Sequence, residues 1–180
     1  MNLQELLIDF SEVPSDELEA KGRAAYREHY LNRGKFGIFN CHDGAAVVFH
    51  EDRFDHAFYD KPDRWSLTKS QEMPEESRLE RMRWIGPLIR GEVPASECWE
   101  VPSPTGRRRP PNRLYVIWEE KYIVWLEPRE DGGWKFSSAY VVTRGSIRDY
   151  CRGGGKIWPV EKKAPRDQTG SRGQKPSPPP

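Results

Sequence analysis

Apolar positions change their spacing several times along the chain, and each change predicts an element. From Ser15 to Gly34, SDELEAKGRAAYREHYLNRG carries a Ser15 cap, acids in its first turn, basic residues later and Gly34 as a stop, which predicts a helix. Leu18, Ala25 and Tyr26 fall roughly on one face of it, and the other face is charged. A short helical piece, LQELLIDF, precedes it. KFGIFNCHDGAAVVFH then holds two apolar runs around Asp43-Gly44, a hairpin signal. In EDRFDHAFY the spacing returns to helical, with Phe54 and Phe58 one turn apart. PEESRLERMRWIGPLIRG predicts a further helix. Pro74 and two glutamates open it, Leu79, Met82, Ile85 and Leu88 form its buried stripe, and Gly86-Pro87 kinks or ends it.

The C-terminal half reads as β. ECWEV, RLYVIWEE, KYIVWLEP and WKFSSAYVV are apolar runs split by short polar turns, which argues for an antiparallel meander. GSIRDYCRGG is a short terminal helix or turn, stopped by Gly153 to Gly155. The expected fold class is therefore α+β, with N-terminal helices packed on a curved antiparallel sheet of about four to five strands. Three regions are expected: 1–45, a helical region and first strand; 46–158, the α+β core; and 159–180, a disordered basic Pro/Gly tail.

Composition narrows the classes. Aromatic residues make up 12% of the 180 residues, enough for one compact core. Charged residues make up 32% and mean hydropathy is −0.88, which fits a polar-surfaced protein with no membrane span. MNLQELLIDF is acidic and too short in its apolar part for a secretory signal, so a cytoplasmic location is expected. Cys41, Cys98 and Cys151 are odd in number and match neither a metal pattern nor a disulfide framework. The net charge of +1 hides segregation: residues 161–180 carry five basic and two acidic side chains, which leaves −2 for the rest. Within that rest, GRRRPPNR gathers Arg107, Arg108, Arg109 and Arg113 with no acid. Such a cluster attracts phosphate, or is a solvated basic loop; composition leaves both open.

The usual nucleotide and hydrolase motifs are absent: no phosphate-loop spacing, no dinucleotide fingerprint, no metalloprotease helix and no nucleophile elbow. CRGGGK matches a phosphate loop in composition only. What remains is a set of polar groups beside strands and helices. His56 lies off the face that carries Phe54 and Phe58, and histidine exchanges protons near neutral pH. Arg78 and Arg81 share a helix flank, either as phosphate ligands or as surface arginines answering Glu75, Glu76 and Glu80. In KFSSAY, period-two geometry puts Ser138 and Tyr140 on one strand face with Phe136, and Ser137 and Ala139 on the other. Tyr140 fits a site or a core equally. Trp84, Trp118 and Trp125 sit on apolar stripes and read as core, and His29, His42 and His50 as structural or surface residues. A histidine, an arginine and two hydroxyls are the parts that RNA cleavage without a metal needs, because the ribose 2′-OH is itself the nucleophile.

The order of three stretches carries a resemblance. VVFHEDRFDHAFY, then SRLERMRWIGPLI, then RLYVIWEEKYIVWLE with WKFSSAYVV resembles a phage-associated nuclease family of the barnase, EndoU, colicin-nuclease and RelE-like ribonuclease superfamily. The matching motifs are Asp55-His56-Ala57-Phe58, Arg78 to Arg81 with Trp84-Ile85, and Phe136 to Tyr140, within about Val47 to Tyr150. Ser138 stands where threonine is frequent in that family. The resemblance implies a metal-independent endoribonuclease with no cofactor, acting on tRNA or another structured RNA in a phage or toxin setting. It implies site roles for His56, Arg81, Ser138 and Tyr140, with Arg78 beside Arg81. Arg107 to Arg109 and Arg113 would hold the RNA backbone, and a cognate inhibitor protein is a candidate partner. The alternative is a non-catalytic nucleic-acid- or protein-binding module of the same fold.

Overall fold

A computed structural model describes residues 1–31, 34–59, 74–103 and 110–159. The first helix, α1 (Ser15–Tyr30), begins directly after Pro14, so Ser15 is its first turn and not its cap. Asp16 and Glu17 answer the unpaired N–H groups of that turn. The helix ends at Tyr30, before the expected glycine stop. Its inner face is Leu18, Gly22, Tyr26 and Tyr30. Gly22 is required there: a Cβ would meet Leu79 Cδ2 at 2.8 Å, so only glycine lets α1 approach this closely.

The hairpin forms as expected. Strand β1 (Phe36–Asn40) pairs antiparallel with β2 (Ala46–His50), and Gly44 takes φ +85° in the loop between them. Helix α2 (Arg53–Phe58) follows and buries Phe54, Ala57 and Phe58 completely. The Phe54 and Phe58 ring centroids lie 5.0 Å apart.

The next helix departs from expectation. Leu79, Met82, Ile85 and Leu88 are all fully buried, as the stripe predicts. The chain is nevertheless split into α3 (Glu76–Glu80), a 3-10 turn (Met82–Trp84) and α4 (Ile85–Ile89). The cause is Tyr30. Its hydroxyl donates to the Met82 carbonyl at 2.8 Å and accepts from the Gly86 N–H at 3.1 Å. Those are the two groups a continuous helix would pair with each other, so the side chain interrupts the ladder. Gly86-Pro87 is not the break: Pro87 sits in the first turn of α4, where its missing N–H is no loss.

The remaining strands are β3 (Ser96–Val101), β4 (Asn112–Ile117), β5 (Tyr122–Pro128) and β6 (Trp134–Val141), then helix α5 (Arg144–Cys151) and β7 (Gly155–Trp158). The fold is α+β, but the expected sheet of four to five antiparallel strands is corrected to a seven-stranded mixed sheet ordered β1-β2-β6-β5-β4-β3-β7. Every pairing is antiparallel except β2 with β6, joined in parallel through Val47↔Trp134 and Val48↔Lys135. The N-terminal hairpin thus docks on a strand far along the chain, and β7, which begins at the last glycine of the expected stop and has no counterpart among the expected strands, adds to β3.

Two clusters fill the two faces of this sheet. The larger lies under α1, α2, α3 and α4, and unites Tyr26, Phe49, Phe54, Leu79 and Phe136. The segment 1–45 therefore shares its core with the rest of the described chain. The smaller cluster lies under α5, where Ile147 and Cys151 cover Val101, Leu114, Val116 and Ile123. Residues 160–180, expected to be a disordered tail, lie outside the described residues. Among the described residues no helix is long and apolar enough to cross a membrane.

Candidate functional site

Three elements meet at Arg78. It projects from α3, and its side chain is 14% exposed. Its Nη1 donates to the carbonyls of Ala57 and Tyr59, each at 3.3 Å. These lie at the C-terminal end of α2, where carbonyls have no partner within the helix. Its Nε donates to Glu75 Oε2 at 2.7 Å, and its guanidinium carbon stands 5.0 Å from the centre of the Tyr140 ring on β6. One side chain thereby ties the helix of His56 to the strand of Ser138 and Tyr140.

The floor of the site is shaped by a bulge. Trp125 pairs with Ser138 and Leu126 pairs with Phe136, so Ser137 is the extra residue on β6. The extra residue reverses the alternation. Phe136 and Ala139 join the cluster under the helices, whereas Tyr140 joins the α5 side with Trp125. Ser138, directly opposite Trp125, shares that side. Ser138 and Tyr140 do share a face, as expected, but Phe136 faces away from both.

Electrostatics keep this face polar and protonated where it needs to be. Burial pushes the Tyr140 phenol up to about 12; Tyr150 raises it further, while Trp125 and the Arg78 charge pull it down. Tyr140 thus stays a hydrogen-bond donor at neutral pH. Its oxygen accepts from Trp125 Nε1 at 3.2 Å. Along the same side, Ser137 Oγ donates to Glu127 Oε1 at 2.8 Å and Lys135 Nζ lies 3.1 Å from Glu127 Oε2. Burial opposes ionisation of Glu127, but these two bonds and the Arg53 charge outweigh it and hold the carboxyl below its ordinary range.

His56 is exposed on α2, off the face that buries Phe54 and Phe58. It precedes Ala57, whose carbonyl Arg78 holds. The helix is fixed from its other side by α1: Arg23 pairs with Asp55 and lies 4.5 Å over the Phe54 ring. Arg81 is placed differently from Arg78. Its Nη1 donates to Ser77 O at 2.7 Å and lies 3.4 Å from Glu80, and its guanidinium covers Trp84 at 5.3 Å. Among the described residues its guanidinium meets its own segment, not Ser138 or Tyr140.

Arg113 is elsewhere. It was expected in a solvated phosphate-binding loop, but its side chain is only 9% exposed and sits on the helix-covered face. Nη2 donates to Asp43 Oδ2 at 2.6 Å and the guanidinium lies 4.3 Å over Trp134, while Nε and Nη1 are buried with no hydrogen-bond partner. The group locks the β1–β2 loop onto β4, so a contact to RNA backbone by Arg113 is not what this geometry offers. Nearby, His42 Nδ1 and the Tyr115 hydroxyl are 2.7 Å apart. Arg107, Arg108 and Arg109 lie outside the described residues.

The three cysteines are free and buried. Burial pushes Cys98 up to about 12 and Cys151 to about 11, so both are protonated and poorly nucleophilic at neutral pH. Among the described residues there is no group of three or more His, Cys, Asp or Glu side chains that could hold a metal ion.

Two site residues escaped the sequence reading. Trp125 packs against the smaller core cluster, as its apolar stripe predicts, and is also bonded to Tyr140; Tyr150, in the terminal helix, turns its ring to Trp125 edge to face at 5.4 Å. The available signal was alternation along β5, which puts Trp125 opposite the face of Tyr122 and Val124. No family model, curated protein or solved structure matches the chain. The resemblance to the ribonuclease superfamily therefore rests on the three motifs alone.

Proposed function

We propose that the chain is a metal-independent endoribonuclease that cleaves RNA by attack of the ribose 2′-OH on the adjacent phosphate. The observation that carries this reading is the bridge made by Arg78, which brings a helix bearing an exposed histidine against a strand face bearing a serine and a protonated tyrosine. His56 takes the 2′-OH proton while water protonates the leaving O5′, or His56 protonates O5′ while water takes the 2′-OH proton. The 2′-O–P bond forms and the P–O5′ bond breaks. The products are a 2′,3′-cyclic phosphate and a 5′-OH.

Arg78 lies beside the ring of Tyr140 and supplies positive charge where the phosphorane develops. Tyr140 and Ser138 donate hydrogen bonds to non-bridging oxygens. A supporting role for Arg81 rests on the motif order alone, because its guanidinium meets Ser77, Glu80 and Trp84. The substrate class is tRNA or another structured RNA, and the setting a phage or toxin system, as the motif order implies. Arg107 to Arg109 would contact the backbone.

The test compares an RNA pool with the same sequences carrying 2′-O-methyl groups. Unmodified RNA should be cut and methylated RNA left whole, because the nucleophile is blocked. Equal cutting of both would remove the 2′-OH from the mechanism. Binding of both with no fragments would replace the enzyme with a non-catalytic RNA-binding module.

A further inference from the structure

We infer that Trp125 and Tyr150 form a stacking site for one unpaired nucleobase beside the scissile phosphate, so that the RNA taken by this site is single-stranded at the cut. The inference rests on the ribonuclease reading above and adds a part to it. Helix α5 covers only a portion of its sheet face: Ile147 and Cys151 point onto Val101, Leu114, Val116 and Ile123. Tyr150 leaves that patch at its margin and turns its ring toward Trp125 on β5, at 5.4 Å and 74°. Both rings remain half-buried, so part of each is open to solvent.

The polar end of Trp125 is already engaged: its Nε1 donates to the Tyr140 hydroxyl at 3.2 Å. The Trp125 ring is therefore held in orientation by the same phenol that faces Arg78, and Tyr150 packs edge to face against it. An edge-to-face pair leaves one ring without a stacking partner on its faces, which is the arrangement an incoming flat ring can complete. The spacing suits a nucleotide. Trp125 and Ser138 are cross-strand partners, about 5 Å apart at their Cβ atoms, so a base on Trp125 leaves its phosphate over Ser138, Tyr140 and Arg78.

The neighbouring chemistry selects the ligand class. An apolar peptide or lipid would complement the rings but not the positive charge of Arg78 and the hydroxyl of Tyr140 beside them. A nucleotide carries both a flat apolar face and an anion at this separation. In an A-form duplex the base faces are already stacked, so only an unpaired base can lie on a side-chain ring.

The experiment measures equilibrium binding of a non-cleavable 2′-O-methyl single strand to the full chain, with an abasic residue moved through each position in turn. One position should lose about tenfold or more in affinity. The fully paired duplex of the same strand should bind with no such position. Trp125→Ala should abolish the dependence on that position, and Trp125→Phe should restore most of it. A flat abasic scan on the wild-type protein overturns the stacking site without recourse to any variant. Cleavage of unmodified RNA alongside a flat scan would leave the ribonuclease standing and remove the stacking site. A position-dependent loss without cleavage would do the reverse.

Discussion

Arg78 and Arg113 each lie over an aromatic ring, one on each face of the same sheet, and they do different things. Arg113 faces Asp43, a carboxylate, and stacks on Trp134 beneath the hairpin loop. Two of its nitrogens, Nε and Nη1, are buried with no partner, so the loop is held at some electrostatic cost. Arg78 is nearly as enclosed, but its Nη1 takes the end carbonyls of α2, and its charge reaches the Tyr140 phenol. What separates them is not burial but where each charge is directed: Arg113 closes a loop, and Arg78 aims a helix at a strand.

That contrast can be broken most sharply at Arg78. Arg78→Ala should lower RNA cleavage by about 10²–10³-fold, the usual effect of losing one charge-stabilising donor. Rates measured on protein shown by circular dichroism to be folded would decide it; a near-wild-type rate would move the charge role to Arg81. Arg113→Ala should act on the other quantity. It leaves Asp43 unpaired and should cost about 3 kcal/mol in urea denaturation, at the low end for a broken pair because Asp43 keeps some water. Cleavage by the folded fraction should be unchanged. A variant that is stable but weak in RNA binding would make Arg113 a ligand residue after all.

A smaller effect is expected from Tyr30→Phe, on the helix-covered face. It strands the Gly86 N–H and removes one bond to the Met82 carbonyl, a loss of about 1–2 kcal/mol by thermal or urea unfolding. No loss at all would mean that the hydroxyl does not hold the break between α3 and α4.

The smallest effect is the response to pH. Burial holds His42 below its ordinary value of 6.5, with Arg113 adding to this and Asp43 opposing it. The unfolded chain therefore takes up the proton first, and stability falls as pH drops below 6.5 toward the folded value. Burial raises Asp43, but the Arg113 bond and the Ala45 N–H outweigh it, so the carboxyl is held below 3.8 and its contribution is lost as pH falls through that lowered value. His29 is lowered by burial too, so His42→Gln should flatten only part of the slope between about pH 7 and 5. An unchanged slope would show that the Tyr115 contact does not keep His42 neutral.

Local signals were legible along the chain where one residue type decides the geometry. Asp43-Gly44 marked its hairpin because the loop needs a positive φ. Phe54 with Phe58, and the stripe from Leu79 to Leu88, marked buried faces through spacing alone. The position of His56 off the core face was readable in the same way. Long-range features were not. The parallel joint of β2 to β6 spans two residue pairs and leaves no periodic trace. The bulge at Ser137 reverses which face Phe136 occupies, yet a bulge has no required residue. Arg113 was grouped with the arginines before it, although period two from Tyr115 already puts it on the helix-covered face. Tyr30 breaks a helix more than fifty residues away, with a hydroxyl that reads locally as one more tyrosine on an amphipathic helix.

The most direct measurement incubates total tRNA with purified protein in chelator and analyses the new 3′ ends. Wild type should give discrete fragments ending in 2′,3′-cyclic phosphate, and His56→Ala should give almost none. Fragments formed by His56→Ala at the wild-type rate, or no fragments from either protein, would contradict the account.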